Sequence, residues 1–196
     1  MTISRGELWF APNVRMAELD LEDANSLIDP FERRVRGFFL GPAAFLREMP
    51  ERDSGLFASA LICAATIEFV ARIDPVLHGE PRPIAGWLIR YAPEFSQMVA
   101  GRTAAEFFEE RFRNGLAHSG YVASLGRLGN INELISVDRD VVTINPFALA
   151  ERISAWLDAF VRDLRSGRRD NRAFQHKLKE LFSEEVRRAR EVMIAQ

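Results

Sequence analysis

The sequence predicts a mainly α-helical protein with a small antiparallel β insertion near residues 121–145. Apolar residues recur at helical spacing along most of the chain, capping residues stand at several helix starts, and strand-like runs begin only after Gly120. The 196 residues are 47% hydrophobic and 28% charged, which suits one domain with a core of ordinary size. We therefore predict a single helical domain over 1–196, with its core at about 20–165.

The composition excludes several classes of protein. A single cysteine, Cys63, forms neither an internal disulfide nor a cysteine-based zinc site within one chain. The net charge of −2 does not fit a general polyanion binder. No signal peptide is visible in residues 1–16, and the uncharged stretch from Ser54 to Ile67 is too short to span a bilayer. We expect a cytoplasmic protein without membrane contacts.

The N-terminal region is predicted to be an arm or loop followed by two helices. Residues 1–18 lack a clear period. From Leu27 to Leu46, apolar residues follow helical spacing, and Gly41-Pro42 is expected to break this segment into two helices.

The next predicted helix is the most apolar one. Asp53 or Ser54 can cap it, and it runs to about Ile73. Since the stretch from Leu56 to Ile67 is apolar on nearly every side, this helix is expected to be buried in a core.

A loop and three shorter helices follow. The Pro/Gly-rich loop covers residues 75–83, and short helices are predicted over Ile84–Tyr91 and Pro93–Val99. Thr103-Ala104-Ala105-Glu106 has the spacing of a capping box, which starts the third helix.

The predicted β insertion consists of three runs rich in β-branched residues. They are Tyr121–Leu125, Leu134–Val137 and Val141–Ile144, and Asp138-Arg139-Asp140 forms a turn between the last two. A small antiparallel arrangement is expected.

Two long helices complete the chain. Asn145-Pro146 combines a capping side chain with proline at the first helical position, and Ser166-Gly167 ends that helix. A basic helix is predicted over 168–196. Residues 162–196 carry 10 basic and 6 acidic side chains, whereas 1–161 carry 16 and 22. Two interpretations of the basic segment stay open, a solvated helix face and a polyanion-binding helix.

The segment Arg111–Gly120 carries the candidate chemistry. Imidazole exchanges a proton near neutral pH, and a guanidinium binds phosphate and stabilises charge on a phosphorane. A single histidine near a helix end ordinarily interacts with the terminal carbonyls, and a single arginine is ordinarily a surface residue. Together, however, Arg113 and His118 supply what metal-independent RNA cleavage requires.

This motif resembles a known family. Arg113-Asn114-x-x-x-His118 is similar to the Arg-x4-6-His signature of the HEPN superfamily (higher eukaryotes and prokaryotes nucleotide-binding). The wider phrase FRNGLAHSG, residues 112–120, resembles the family's Arg-Asn-small-x-x-His-x-Gly. An apolar upstream helix and later helices agree with the pattern. The resemblance covers about residues 54–120 strongly and weakens toward about 165.

The resemblance implies a metal-independent endoribonuclease or RNA-binding protein that acts as a homodimer and needs no cofactor or metal. A toxin–antitoxin or defence setting is implied, with RNA and a separately encoded antitoxin as partners. By the same resemblance, His118 is the general acid or base, Arg113 holds the scissile phosphate, and Asn114 positions the site or polarises the histidine. Because some members keep the fold only for binding, a non-catalytic helical dimerisation or interaction module remains the alternative.

Helix geometry bears on the dimer. In a straight α-helix, residues five apart are rotated by about 140°, so Arg113 and His118 do not share a face, whereas Asn114 and His118 do. Either Gly115 loosens the helix locally, or the site combines Arg and His from two chains, as the resemblance implies.

Other candidate residues receive simpler interpretations. Glu68 and Arg72 lie four apart on the apolar helix, which indicates an ion pair or interface contact, or alternatively a contact from Glu68 to the motif. Cys63 is expected in the core. His78 and His176 are expected to be solvated, and no metal site is predicted.

Overall fold

A computed structural model describes residues 2–4, 7–49, 52–116, 122 and 124–194, with side chains from Leu8 onward apart from 52–54 and 194. This part of the chain is mainly α-helical with small sheets, which confirms the predicted class. The helices are α1 Ile28–Val35, α2 Gly41–Arg47, α3 Arg52–Ile73, α4 Pro83–Tyr91, α5 Ala104–Phe107, α6 Pro146–Arg165 and α7 Asn171–Ile194. Two π-helical segments, Arg36–Leu40 and Phe108–Arg113, directly follow α1 and α5.

The strands form three separate sheets. Their bounds are β1 Thr2–Ser4, β2 Glu7–Ala11, β3 Val14–Arg15, β4 Met98–Val99, β5 Arg102–Thr103, β6 Gly126–Leu128, β7 Ile135–Asp138 and β8 Val141–Ile144.

The chain packs as two compact units, Met1–Phe38 with Leu157–Gln196, and Phe39–Trp156. The single domain over 1–196, with its core at about 20–165, stays a prediction.

In the first unit, α1, the end of α6 and α7 are joined by aromatic side chains. The rings of Phe31, Phe160 and Phe174 lie 5.4–5.9 Å apart and are fully buried. Leu178 and Val186 on α7 are buried as well.

The predicted N-terminal arm is wrong. Strands β1, β2 and β3 form an antiparallel sheet in that order, with Ala11 opposite Val14. Asn13 turns the chain with φ of 59°, a conformation that asparagine tolerates. The Pro12-Asn13 turn signal was therefore present, but the flanking strands are too short to show a clear alternation.

In the second unit, α2 and α3 approach closely at Gly55. A Cβ at Gly55 would lie 2.4 Å from the carbonyl oxygen of Leu46, so only glycine fits there. At the predicted break, Gly41-Pro42, the chain continues without reversing direction. The π-helical segment Arg36–Leu40 leads directly into α2, which has its proline in the first turn.

Helix α3 forms much of the core of this unit. Cys63 and Ile67 are buried, as predicted. By length and composition, Gly55–Ile73 is the one span among the described helices that is apolar enough to cross a membrane, with mean hydropathy 1.8. The uncharged stretch that ends at Ile67 is shorter than this span, because Glu68 and Arg72 interrupt the apolar run without ending it. However, 56% of this window is buried within the protein, as in the core helix of a soluble protein.

The β insertion is only partly antiparallel. β7 and β8 form the predicted hairpin, with Ile135 opposite Ile144. The first strand, however, is β6 rather than Tyr121–Leu125, and it pairs with β8 in parallel. Tyr121 lies outside the described residues, and Leu125 lies in a turn with φ of 71°. In the order β6-β8-β7, strand β8 lies between the other two strands. It is antiparallel to β7 and parallel to β6.

The short-helix predictions have mixed outcomes. Helix α4 confirms Ile84–Tyr91. Over Pro93–Val99 only Pro93–Ser96 is helical, as one 3-10 turn, because positive φ values at Ala100 and Gly101 turn the chain into the β4–β5 pair.

Asn145 starts α6 as predicted. Its Oδ1 accepts hydrogen bonds from the backbone N–H groups of Phe147 and Ala148, at 3.0 and 3.2 Å. Its Nδ2 donates to the carbonyl of Ile131 at 2.6 Å, so this buried side chain also ties the insertion to the helix. Gly167, with φ of 68°, follows the end of α6.

We expect Asn145→Ala to reduce the free energy of unfolding by about 1–2 kcal/mol, since it removes the cap. Asn145→Ser keeps an acceptor for the helix N–H groups and should recover part of that loss. Urea unfolding monitored by circular dichroism measures both. Equal losses in the two variants would show that capping is not the source of the stability.

Candidate functional site

The candidate site lies where the motif helix meets α3. Arg113 is the last residue of the π-helical segment, and Asn114 follows it in the same helix. His118 lies outside the described residues. The structure therefore describes two of the three predicted site residues, and the predicted roles of all three stay predictions.

The start of the motif helix is the predicted capping box. The Thr103 hydroxyl accepts the backbone N–H of Glu106 at 3.2 Å, and the Glu106 carboxylate accepts the backbone N–H of Thr103 at 2.8 Å. The helix consequently begins at Ala104, as the sequence indicates.

Aromatic packing accompanies the change to π geometry. Phe108 and Phe112 stack at 5.6 Å, and Phe107 contacts Phe112, five residues on, edge to face at 6.1 Å. Phe95 packs edge to face on Phe108 at 5.8 Å. A Cβ on Gly126 would come within 3.1 Å of the Phe112 ring, so β6 also closes over this cluster.

The π geometry overturns the assumption of a straight α-helix through the motif. A π-helix closes i→i+5 hydrogen bonds, which brings residues five apart closer into line than an α-helix does. The irregularity covers Phe108–Arg113 and resumes at Gly115 and Leu116. Local loosening at Gly115, one of the two explanations for the Arg113–His118 spacing, is therefore present in the described part of the helix; because His118 lies outside that part, the two-chain explanation stays a prediction.

Glu68 on α3 binds the guanidinium of Arg113 in a bidentate ion pair. Nε of Arg113 donates to Glu68 Oε2 at 3.1 Å, and Nη2 donates to Oε1 and Oε2 at 3.0 and 2.8 Å. Both side chains are about three-quarters buried, with 27% and 25% exposed. This fork-to-fork geometry fixes the orientation of the guanidinium plane.

Two further contacts complete the cluster. Nη1 of Arg113 donates to Asn114 Oδ1 at 2.8 Å. Arg72, which is 56% exposed, donates from Nη2 to Glu68 Oε1 at 2.8 Å. Both interpretations of Glu68 are therefore confirmed, because the same carboxylate pairs with Arg72 and contacts the motif. The i,i+4 spacing identified the first contact, whereas only packing of α3 on the motif helix produces the second.

More charges line the exposed side of the motif helix. Burial is the main cause that raises the pKa of Glu109, whose carboxylate accepts the Ala85 backbone N–H and lies in the field of Arg113. Arg82 pairs with Glu110 at 3.4 Å, and Arg102 pairs with the same carboxylate. The helix that carries Arg113 is therefore bordered by carboxylates.

Two buried tryptophans lie in the same unit as the candidate site. Trp87 and Trp156, distant in sequence, pack at 5.8 Å with Tyr91 beside them, but both indoles are buried and offer no stacking surface. Among the residues that the structure describes, no three His, Cys, Asp or Glu side chains are grouped to hold a metal ion. His78 and His176 are exposed.

The basic α7 neutralises much of its own charge. Arg187 pairs with Glu184 and Glu191, and Arg188 pairs with Glu184 at 2.8 Å. These arginines lower the pKa of Glu184 to about 2. Arg190 instead donates to the carbonyl oxygens of Ala17 and Leu19. These contacts favour the solvated-face interpretation.

Comparisons of the chain with models of protein families, with curated proteins and with solved structures find no match in any of the three.

We expect Arg187→Gln with Arg188→Gln to leave the salt dependence of RNA affinity unchanged, because both arginines are already paired with carboxylates. Fluorescence anisotropy of a single-stranded RNA oligonucleotide over a range of salt concentrations measures the slope. If both side chains contact phosphate instead, the slope should become shallower by about 1.4.

Proposed function

We propose that this protein is a HEPN-type RNA-binding protein that cleaves RNA without a metal ion. The observation that carries the proposal is the guanidinium of Arg113, oriented by a bidentate carboxylate and adjacent to Asn114. The π-helical geometry around it adds support, since such irregularities in helices occur frequently at functional sites.

The proposed reaction is an internal transesterification. A general base removes the proton of the ribose 2′-OH, the 2′ oxygen attacks the adjacent phosphorus, and the bond from phosphorus to the 5′ oxygen breaks. A general acid protonates the leaving oxygen, which gives a 2′,3′-cyclic phosphate and a 5′-OH. His118 takes one of the proton-transfer roles, Arg113 stabilises charge on the phosphorane, and Asn114 holds the Arg113 side chain in place.

A non-catalytic dimerisation or interaction module is the second candidate. The observation that favours it is the same ion pair, because Glu68 neutralises Arg113 and gives that arginine a complete structural role. Activity measurements on matched variants separate the two candidates.

The setting is part of the proposal. We propose a cytoplasmic homodimer in a toxin–antitoxin or defence system, with RNA as substrate and a separately encoded antitoxin. The support for this setting is the resemblance of residues 112–120 alone.

We expect His118→Ala to lower RNA cleavage by about 10²–10⁴-fold, because a positioned acid–base group contributes that much. Cleavage by the unaltered protein should persist in excess chelator, since the proposed steps use side chains alone. Gel analysis of labelled RNA, with end-group assignment of the products, measures both. Equal cleavage by the His118→Ala variant on several RNAs would identify a contaminating nuclease and favour the interaction module.

Arg113→Ala should be similarly damaging, and Arg113→Lys should restore little, because an ammonium cannot reproduce the planar fork. Arg111→Ala is the matched control: Arg111 is exposed, lies two residues away and makes no ion pair with any residue in the described ranges. Equal losses in the Arg111 and Arg113 variants would indicate general electrostatics rather than a specific phosphate contact.

We expect a homodimer by sedimentation at high micromolar concentration. Mixing His118→Ala chains with Arg113→Ala chains would restore partial cleavage only if one site combines residues of two subunits. If each subunit supplies both Arg113 and His118 to its own site, mixing restores nothing. A monomer at these concentrations would contradict the dimer.

A further inference from the structure

Each of the three guanidinium nitrogens of Arg113 already has a hydrogen-bond acceptor. Glu68 occupies the edge formed by Nε and Nη2, and Asn114 Oδ1 binds Nη1. A phosphate that binds arginine bidentately needs one complete edge of two nitrogens. Bidentate phosphate binding at the edge formed by Nε and Nη2 therefore requires that Glu68 be displaced.

Glu68 has a second cationic partner besides Arg113. Its Oε1 already accepts a hydrogen bond from Arg72 at 2.8 Å, four residues on along α3. Because Glu68 and Arg72 are neighbours on one helix face, rotation of the Glu68 side chain toward Arg72 would break the fork to Arg113 while the carboxylate stays paired. This matters because a partly buried carboxylate without a partner is costly.

We propose that Glu68 is an exchangeable carboxylate latch, which blocks the phosphate-binding edge of Arg113 and moves to Arg72 when a phosphate or phosphodiester binds. The inference rests on the proposed function for its substrate class. Arg72 is accordingly a positioning residue that acts through Glu68 and touches no substrate.

The net charge of the cluster fits this exchange. Glu68, Arg72 and Arg113 together carry one positive charge, and Glu109 lies in the field of Arg113. A phosphate monoanion would replace the Glu68 carboxylate at Arg113, so each guanidinium keeps one anionic partner in both states. Arg72 in turn keeps the displaced carboxylate from facing the bound anion alone.

The test titrates inorganic phosphate while the Nε–H signal of Arg113 is followed by NMR; Arg113→Lys identifies the signal. We expect Glu68→Gln to raise phosphate affinity by about twofold to fivefold, the range of a part-exposed ion pair. Arg72→Gln should lower the affinity by a similar factor in the unaltered background and have no effect in the Glu68→Gln background.

Controls separate the latch from general charge effects. Glu151→Gln makes the same charge change at an exposed ion pair with Arg47 in the same unit and should leave phosphate affinity unchanged. Glu68→Asp keeps the charge but shortens the reach, so it should also raise phosphate affinity; it decides the question if Glu68→Gln does not fold. Unchanged or weaker phosphate binding in both Glu68 variants overturns the latch, and so does an equal Arg72→Gln effect in both backgrounds.

RNA assays on the same variants distinguish the latch from the proposed function. If phosphate affinity responds as expected but no variant binds or cuts RNA, the latch stands and the proposed function fails. If RNA is cut but phosphate affinity is the same in the unaltered protein and the Glu68 variants, the latch fails and the proposed function stands.

Discussion

The bidentate ion pair between Glu68 and Arg113 is the constraint on which the candidate site depends. It joins α3, which carries the longest apolar span among the described helices, to the helix that carries the motif. A charge this far buried is tolerated only when it is paired and hydrogen-bonded. The position of Arg113 is consequently determined by the packing of α3 rather than by the motif alone, and any function assigned to Arg113 has to account for its carboxylate partner.

The π-helical segment makes that pairing geometrically available. The capping box at Thr103 fixes the helix start at Ala104, and the rings of Phe107, Phe108 and Phe112 fill the core beside the wider turns. With the start fixed and the aromatic side chains buried, the wider turns determine which residues face α3. Hydrophobic packing upstream of Arg113 thus brings its side chain toward α3, and the Glu68 carboxylate then fixes the orientation of the guanidinium.

The sequence predicts those features whose causes are local. Helix starts at Ala104 and Pro146 follow from adjacent capping side chains, and the burial of Cys63 follows from its apolar neighbours. The N-terminal sheet and the parallel pairing of β6 depend on contacts between short strands with little pattern of their own. The contact from Glu68 to Arg113 spans 45 residues, so helix spacing revealed only its second partner, Arg72.

Charge counts and charge placement lead to different conclusions for this protein. Residues 162–196 carry a surplus of basic side chains, yet Arg187 and Arg188 are held by carboxylates of the same helix. The site helix lies in the acidic part of the chain, yet it carries a guanidinium held in one orientation by Glu68. An anion is attracted by the charge that remains after such pairing. It also binds more readily where an existing partner of the cation is easily displaced. By that criterion Arg113, whose carboxylate has Arg72 as a second partner, is the better candidate for binding phosphate than the more basic but internally paired α7.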